Sequence, residues 1–465
     1  MSTNQNKIID ELMISAQSSK QQGDLSSTLN SLNEILKIDS NNKRALNNIG
    51  NVYKEMKNFY EAEKYYSKAI SSDANYKIAK INLAILYHDL GNLKKAEKLY
   101  KELILIDEYN FAIYFNLSRI DFSFFDDEKI NFIENSIDNQ NITNYNKASG
   151  YFILAKNAQK NKDFDKEIKF LDNGHKYFCK SVPTNVFEQS SNYWLNTIPK
   201  KFDKLRISNI TRNEIDKFEI NPIFIIGMPR SGSTLVESII SSGKLKIPNG
   251  GETACINWAI LNNYRNNLFD EKIDEINIDQ KKLKNDILKK YQSLSLLDKN
   301  KKYFFTDKSL ENFFYIELIL ELFPNAKFIH CKRNILDNIF AIYQNFLTKM
   351  SWTHSIEDIV VYFNNYLSVM ENFNNRFKEK IFSLDLEMFT KDSENISKKM
   401  FSFCELEWSD ESLEYHKRKD LFSTTASNIQ IREKIYEYDH DKYEVYKKYI
   451  KKFEKKYNWL KKNLS

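Results

Sequence analysis

At 465 residues the chain is too long for one compact core, and 42% hydrophobic with 28% charged residues suits a folded protein of two or more domains, not a disordered one. A net charge of +6 is small for this length and argues against a nucleic-acid binder. The opening MSTNQNKIIDELM lacks the apolar core of a signal peptide, and no apolar run approaches a membrane span. The four cysteines (Cys179, Cys255, Cys331, Cys404) are widely spaced with no C-x-x-C pair, so the expectation is a cytoplasmic, reducing environment and no metal.

The first third repeats itself. Ala45 and Ala79, Tyr53 and Tyr87, Ala62 and Ala96, Tyr66 and Tyr100 lie 34 residues apart, and Asp39, Asp73 and Asp107 keep the same step. This is the period of tetratricopeptide repeats, in which small residues let paired helices approach while aromatics fill between them. Units run over 9–42, 43–76 and 77–110, with a degenerate fourth at 111–144. Residues 148–181 regain helix-pair spacing as a capping repeat, which gives a helical solenoid over 1–181. Its surface either receives a peptide or protein partner or only packs on the next domain. Residues 182–219 have too little glycine and serine for a flexible linker and read as an ordered connector.

The second domain, 220–465, begins with PIFIIGMPRSGSTLVESIISSGKLKIPNGGE (222–252). Five of the chain's ten glycines and three of its six prolines fall there. An apolar strand over 223–228, a glycine turn and a helix from Ser233 make an anion cradle, because open N–H groups and the helix dipole converge on it. Gly227 and Gly232 have the separation of a Walker A loop, but Ser233 stands where that loop's lysine must be, so triphosphate hydrolysis is disfavoured. Arg230 and Ser231 offer donors from within the turn instead.

Further strands are predicted at 303–306, 327–331 and 381–386. Helices alternate with them at 312–323, from about 334 to 346, and at 393–404, which implies a parallel sheet covered on both faces. A last amphipathic helix is predicted over 443–460, docked on the domain. Arg230, Lys308 and Arg333 each follow a strand's carboxyl end, where such sheets bind ligands. Read alone, they are either a site for a polyanionic nucleotide or three surface cations. His330 in its buried strand reads as a satisfied core residue, and the six histidines show no metal spacing.

Several motifs resemble one family: GMPRSGSTLVESII, the following GGE, the TDKSLENF…LFPNAKFIHCKRNILDNIFAIYQNF block and TTASNIQIREKIY. They resemble the sulfotransferases that carry N-terminal tetratricopeptide repeats, which are similar in turn to tyrosylprotein sulfotransferases. The likeness implies a P-loop-like α/β domain that moves a sulfuryl group from 3′-phosphoadenosine 5′-phosphosulfate (PAPS) to an acceptor hydroxyl on a protein tyrosine, a glycan or a small metabolite. Under it Arg230, Ser231, Gly232, Ser233 and Thr234 form the 5′-phosphosulfate loop, and Arg333 holds the 3′-phosphate. Glu252 is the general base, Lys308 steadies the sulfuryl group, Ser427 lies near the transferring oxygens and Arg432 is a further donor-binding cation.

Two positions depart from the family pattern. Ala341 replaces a phosphate-binding serine, and Lys434 replaces a proline that stiffens the loop bearing Arg432. The rival functions are a repeat scaffold with a decayed nucleotide domain and a P-loop kinase.

Overall fold

The computed structural model describes residues 3–207, 220–297, 303–418, 420–438 and 441–464. The chain forms two compact units, residues 1–124 with 288–298, and residues 125–287 with 299–465.

The first unit is a helical repeat array: α1 (Thr3–Gln21), α2 (Leu25–Ile38), α3 (Lys43–Glu55), α4 (Phe59–Ser72), α5 (Lys77–Asp89), α6 (Leu93–Ile106) and α7 (Phe111–Ile120). The periodic alanines Ala45, Ala62, Ala79 and Ala96 are all fully buried, as are Tyr66 and Tyr100. The Tyr66 ring lies against Gly50, where a Cβ would come within 2.6 Å of it. Each turn between paired helices needs one left-handed residue, supplied by Gly23, Lys57 and Gly91 at φ of 78°, 60° and 77°. Asp24 and Asn58 then cap the next helix by accepting from the backbone N–H three residues on, at 2.9 and 3.3 Å.

The second unit opens with α8 (Asp127–Ser136), α9 (Asn144–Lys160) and α10 (Phe164–Ser181). Within the segment 182–219 come α11 (Thr184–Asn192), a π turn, α12 (Ile198–Lys201) and β1 (Leu205–Ile207), while 208–219 lie outside the described residues. Then come β2 (Ile220–Gly227), α13 (Ser233–Ile240), α14 (Cys255–Phe269), β3 (Ile276–Ile278) and α15 (Gln280–Ser293), whose residues from Leu288 onward count with the first unit. They are followed by β4 (Tyr303–Asp307), α16 (Ile316–Leu322), β5 (Lys327–Lys332), α17 (Ile335–Tyr343), α18 (Ile356–Arg376), β6 (Ile381–Asp385), α19 (Leu386–Lys391) and α20 (Ser393–Phe403).

Strands β4-β2-β5-β6 form a parallel sheet in that order, and β1 pairs with β3. One sheet face, with Ile223, Ile225, Ile329 and Leu384, packs on Val236, Ile239, Phe389 and Phe401. On the other face Phe224 stacks on Phe328 at 5.3 Å, and His330 meets Tyr366 of α18. The strand order reverses between β2 and β5, which places a ligand crevice at their carboxyl ends.

The tail does not form the single helix that its spacing predicts. It is a 3-10 turn (Asp441–Tyr446), one α turn (Lys447–Ile450), another 3-10 turn (Lys451–Phe453) and a short helix (Asn458–Leu464). Tertiary contacts override the period: Tyr446 stacks on Phe340 at 4.9 Å and donates to Glu167 Oε2 on α10 at 2.6 Å. His330 is also only half satisfied, since Nε2 pairs with the Tyr366 hydroxyl at 2.5 Å while Nδ1 is buried without a partner.

Candidate active site

The loop after β2 is shaped by close approach. A side chain at Gly227 would collide with the Cys331 carbonyl of neighbouring β5. Arg230 itself adopts φ 67°, a left-handed conformation that costs a non-glycine residue about 1–2 kcal/mol and is retained where the surroundings enforce it. Helix α13 starts at Ser233 with no side-chain cap, leaving its first N–H groups facing the turn. The Ser231 hydroxyl, fully buried inside this turn, has no hydrogen-bond partner. An anion fits this arrangement, because open donors and an orphaned hydroxyl face one place.

The loop's other wall comes from far along the chain. Arg230 donates Nη1 to Ser427 Oγ and Nη2 to Gln430 Oε1, the latter at 3.0 Å. Thr234 Oγ1 lies 3.2 Å from Thr425 Oγ1. Arg432 braces this segment, donating to the Leu421 carbonyl at 3.1 Å and Asn428 Oδ1 at 3.0 Å. Tyr415 donates to the Glu433 carbonyl at 2.9 Å, so the segment is pinned without a proline at Lys434.

Arg333 stands at the end of β5, across the crevice. Its Nη1 donates to the Arg230 carbonyl at 2.9 Å, tying the two cationic positions together. Its Nε and Nη2 engage the Tyr438 hydroxyl, which itself donates to Asp337 Oδ2 at 2.5 Å. The guanidinium lies 4.7 Å from the Tyr438 ring and 5.3 Å from that of Tyr443. Burial alone would lower the guanidinium's pKa, but the two tyrosines outweigh it and hold it above its ordinary value. Asn338 donates to the Pro229 carbonyl at 2.6 Å, fastening α17 to the loop. Ala341 is buried on the same helix. Beside Arg333 lies a cavity of about 560 Å³, lined among others by Met228, His330, Lys332, Tyr366, Met370 and Glu387. That is within the range of small-molecule sites.

Glu252 and Lys308 form a second cluster. Lys308 Nζ lies 3.1 Å from Glu252 Oε1, with 1% of the lysine side chain and 29% of the glutamate side chain exposed. Burial pushes the Glu252 carboxyl up, yet the charge and hydrogen bond of Lys308, with Lys349 further off, leave it below its usual range. Burial likewise pulls Lys308 down, and the carboxylates Glu252, Glu237 and Glu311 lift it above its ordinary value. Glu252 is therefore ionised, the state in which it can accept a proton. Asp307 is not the partner of Lys308 here; it accepts from Thr253 Oγ1 at 2.6 Å and from Ser309 N at 2.9 Å.

Sequence reasoning missed Glu237, Asp307, Asn338 and Tyr438. Glu237 did leave a signal, a lone charge within the apolar run LVESII. Tyr438 left none, since nothing local distinguishes it from its neighbours. The fourteen-residue helix α15 and the long helix α18, which walls the cavity, also went unpredicted.

Residues 222–410 match the model of the sulfotransferase family, and residues 43–108 match a tetratricopeptide-repeat model. A protein of Aquifex aeolicus (strain VF5) described as uncharacterized is 30% identical over 340 residues, covering 70% of this chain. The chain spans 43% of that relative's length. Among solved structures, the sulfotransferase domain of the Synechococcus PCC 7002 olefin synthase aligns at a TM-score of 0.34 and 14% identity, over 49% of this chain and 88% of that one. A sulfotransferase from Mycobacterium tuberculosis H37Rv aligns at 0.26 and 12% identity, over 62% and 91%.

Proposed function

We propose that this chain, matched by the sulfotransferase family model over residues 222–410 and by a tetratricopeptide-repeat model over 43–108, transfers a sulfuryl group from PAPS to an acceptor hydroxyl. The observation that carries the reading is the pairing of an uncapped helix N-terminus and the orphaned Ser231 hydroxyl with Arg230 and Arg333 at the sheet's reversal point. Residues 230–234 would receive the donor's 5′-phosphosulfate. Arg333 would exchange the Tyr438 hydroxyl for the 3′-phosphate, and the adjoining cavity has room for part of a nucleoside.

The chemistry assigned to the chain balances simply. The acceptor oxygen bonds to sulfur, the bond from sulfur to the bridging phosphate oxygen breaks, and the acceptor proton passes to Glu252. Adenosine 3′,5′-bisphosphate leaves. Arg230, Ser427 and Lys308 donate to oxygens that gain charge as that bond opens. Arg432 acts from behind, by holding the loop that carries Ser427. The acceptor is a hydroxyl compound, with protein tyrosine one of its possible classes, and the repeats are a surface for a peptide or protein partner.

Isothermal titration with adenosine 3′,5′-bisphosphate and a transfer assay with labelled PAPS test this together. Binding without Mg²⁺, and a fall of about 10²- to 10⁴-fold in transfer for Glu252→Gln with bisphosphate binding unchanged, are expected. Transfer at the parental rate in that variant would remove Glu252 as the base. Absence of any bisphosphate heat would remove the reading altogether.

A further inference from the structure

Glu237 is the one carboxylate on α13, and only 2% of it is exposed. An ionised group so placed is costly unless fully hydrogen-bonded. Its Oε1 accepts from the Gly251 N–H at 2.8 Å and from the Thr306 hydroxyl at 2.8 Å. The Thr306 hydroxyl in turn accepts from the Gly250 N–H at 3.0 Å. Backbone bonds close the same knot: Thr306 N to Pro248 O at 3.0 Å, and Lys308 N to Gly251 O at 2.8 Å. The fit has no slack, since a Cβ on Gly250 would collide with the Thr306 carbonyl.

The knot holds two segments, 248–251 and 306–308; Glu252 follows the first and Lys308 ends the second. It begins on the helix whose first turn forms the anion cradle. Resting on the sulfuryl-transfer reading above, we propose that Glu237 is a positioning residue that sets Glu252 against Lys308 and ties both to the anion loop. Glu237 is also among the carboxylates that lift the Lys308 ammonium above its ordinary value.

Three variants separate shape from charge. Glu237→Gln keeps an acceptor and removes the charge, Thr306→Val removes the bridging hydroxyl, and Glu237→Ala removes both. Two measurements need no turnover. Amide hydrogen exchange at Gly251 should quicken about tenfold or more in Glu237→Ala and stay near parental in Glu237→Gln. The ¹⁵N signal of the Lys308 ammonium should titrate at lower pH in Glu237→Gln than in the parent. In the transfer assay, Glu237→Gln should lower kcat about tenfold and Glu237→Ala on the order of 10²-fold, with the bisphosphate Kd within about twofold of parental.

Unchanged exchange in a folded Glu237→Ala, or an unmoved Lys308 titration in Glu237→Gln, would overturn the proposal. Should Glu237→Ala not fold, exchange at Gly250 in Thr306→Val decides the shape question by the same criterion. A parental protein with no transfer activity would sink the sulfotransferase reading while leaving the exchange and titration results to judge Glu237.

Discussion

The repeat array and the anion site are built on opposite plans. In the array, each stabilising device is local and recurs: a left-handed residue at 23, 57 and 91, a cap reaching three residues ahead after the first two, and buried alanines and tyrosines that keep the 34-residue step. In the site, hardly any partner is a neighbour. Arg230 meets Ser427 across 197 positions, Glu237 meets Thr306 across 69, and Lys308 meets Glu252 across 56. A periodic array spreads its stability over many equivalent contacts, whereas a convergent site depends on a few that are unlike each other.

That contrast breaks most visibly at Arg333. Arg333→Ala should weaken adenosine 3′,5′-bisphosphate binding by about 2–3 kcal/mol, roughly 30- to 150-fold, the scale of a charged hydrogen-bonded contact. Titration calorimetry checks this, and an unchanged affinity would mean the nucleotide binds elsewhere. The same change should leave the melting of the repeat array untouched.

Acid should sharpen the contrast next. Burial lowers His175 to about 4, His330 to about 3 and His354 to about 2. His175 Nδ1 sits 2.9 Å from His354 Nδ1, and its Nε2 lies 2.8 Å from the Tyr343 carbonyl. A histidine that is neutral when folded gives full stability above its unfolded pKa near 6.5, and loses it as pH falls from there toward the folded values, because only the unfolded chain takes up the proton. Glu167 opposes this: burial raises it to about 7, so it favours the folded state at low pH and costs stability as pH rises from about 4.3 to 7. In Glu167→Gln the acid loss should therefore stand uncovered. Calorimetric scans of that variant at pH 7 and pH 4.5 should show the second unit's melting temperature fall, and no fall would refute the buried neutral histidine pair.

The smallest effect belongs to the array. Lys57 occupies the left-handed turn that its equivalents fill with glycine, so Lys57→Gly should stabilise the first unit by about 0.5–1 kcal/mol in chemical denaturation. A loss of stability would show that the lysine side chain contributes more than its backbone strain costs.

The 34-residue period, the strand–turn–helix at 222–240 and the alternation that follows were legible in the chain, because each is written in neighbouring residues. The glycine loop was legible too, since glycine is scarce elsewhere. What only the tertiary structure decided is which distant groups meet. It set Tyr438 on Arg333, gave Lys308 to Glu252 instead of the adjacent Asp307, and turned a lone glutamate in an apolar helix into the hub of the loop opposite. Burial explains the division. An apolar period is set by the geometry of its own backbone, but a buried charge must find its partner wherever the packed chain brings one within reach.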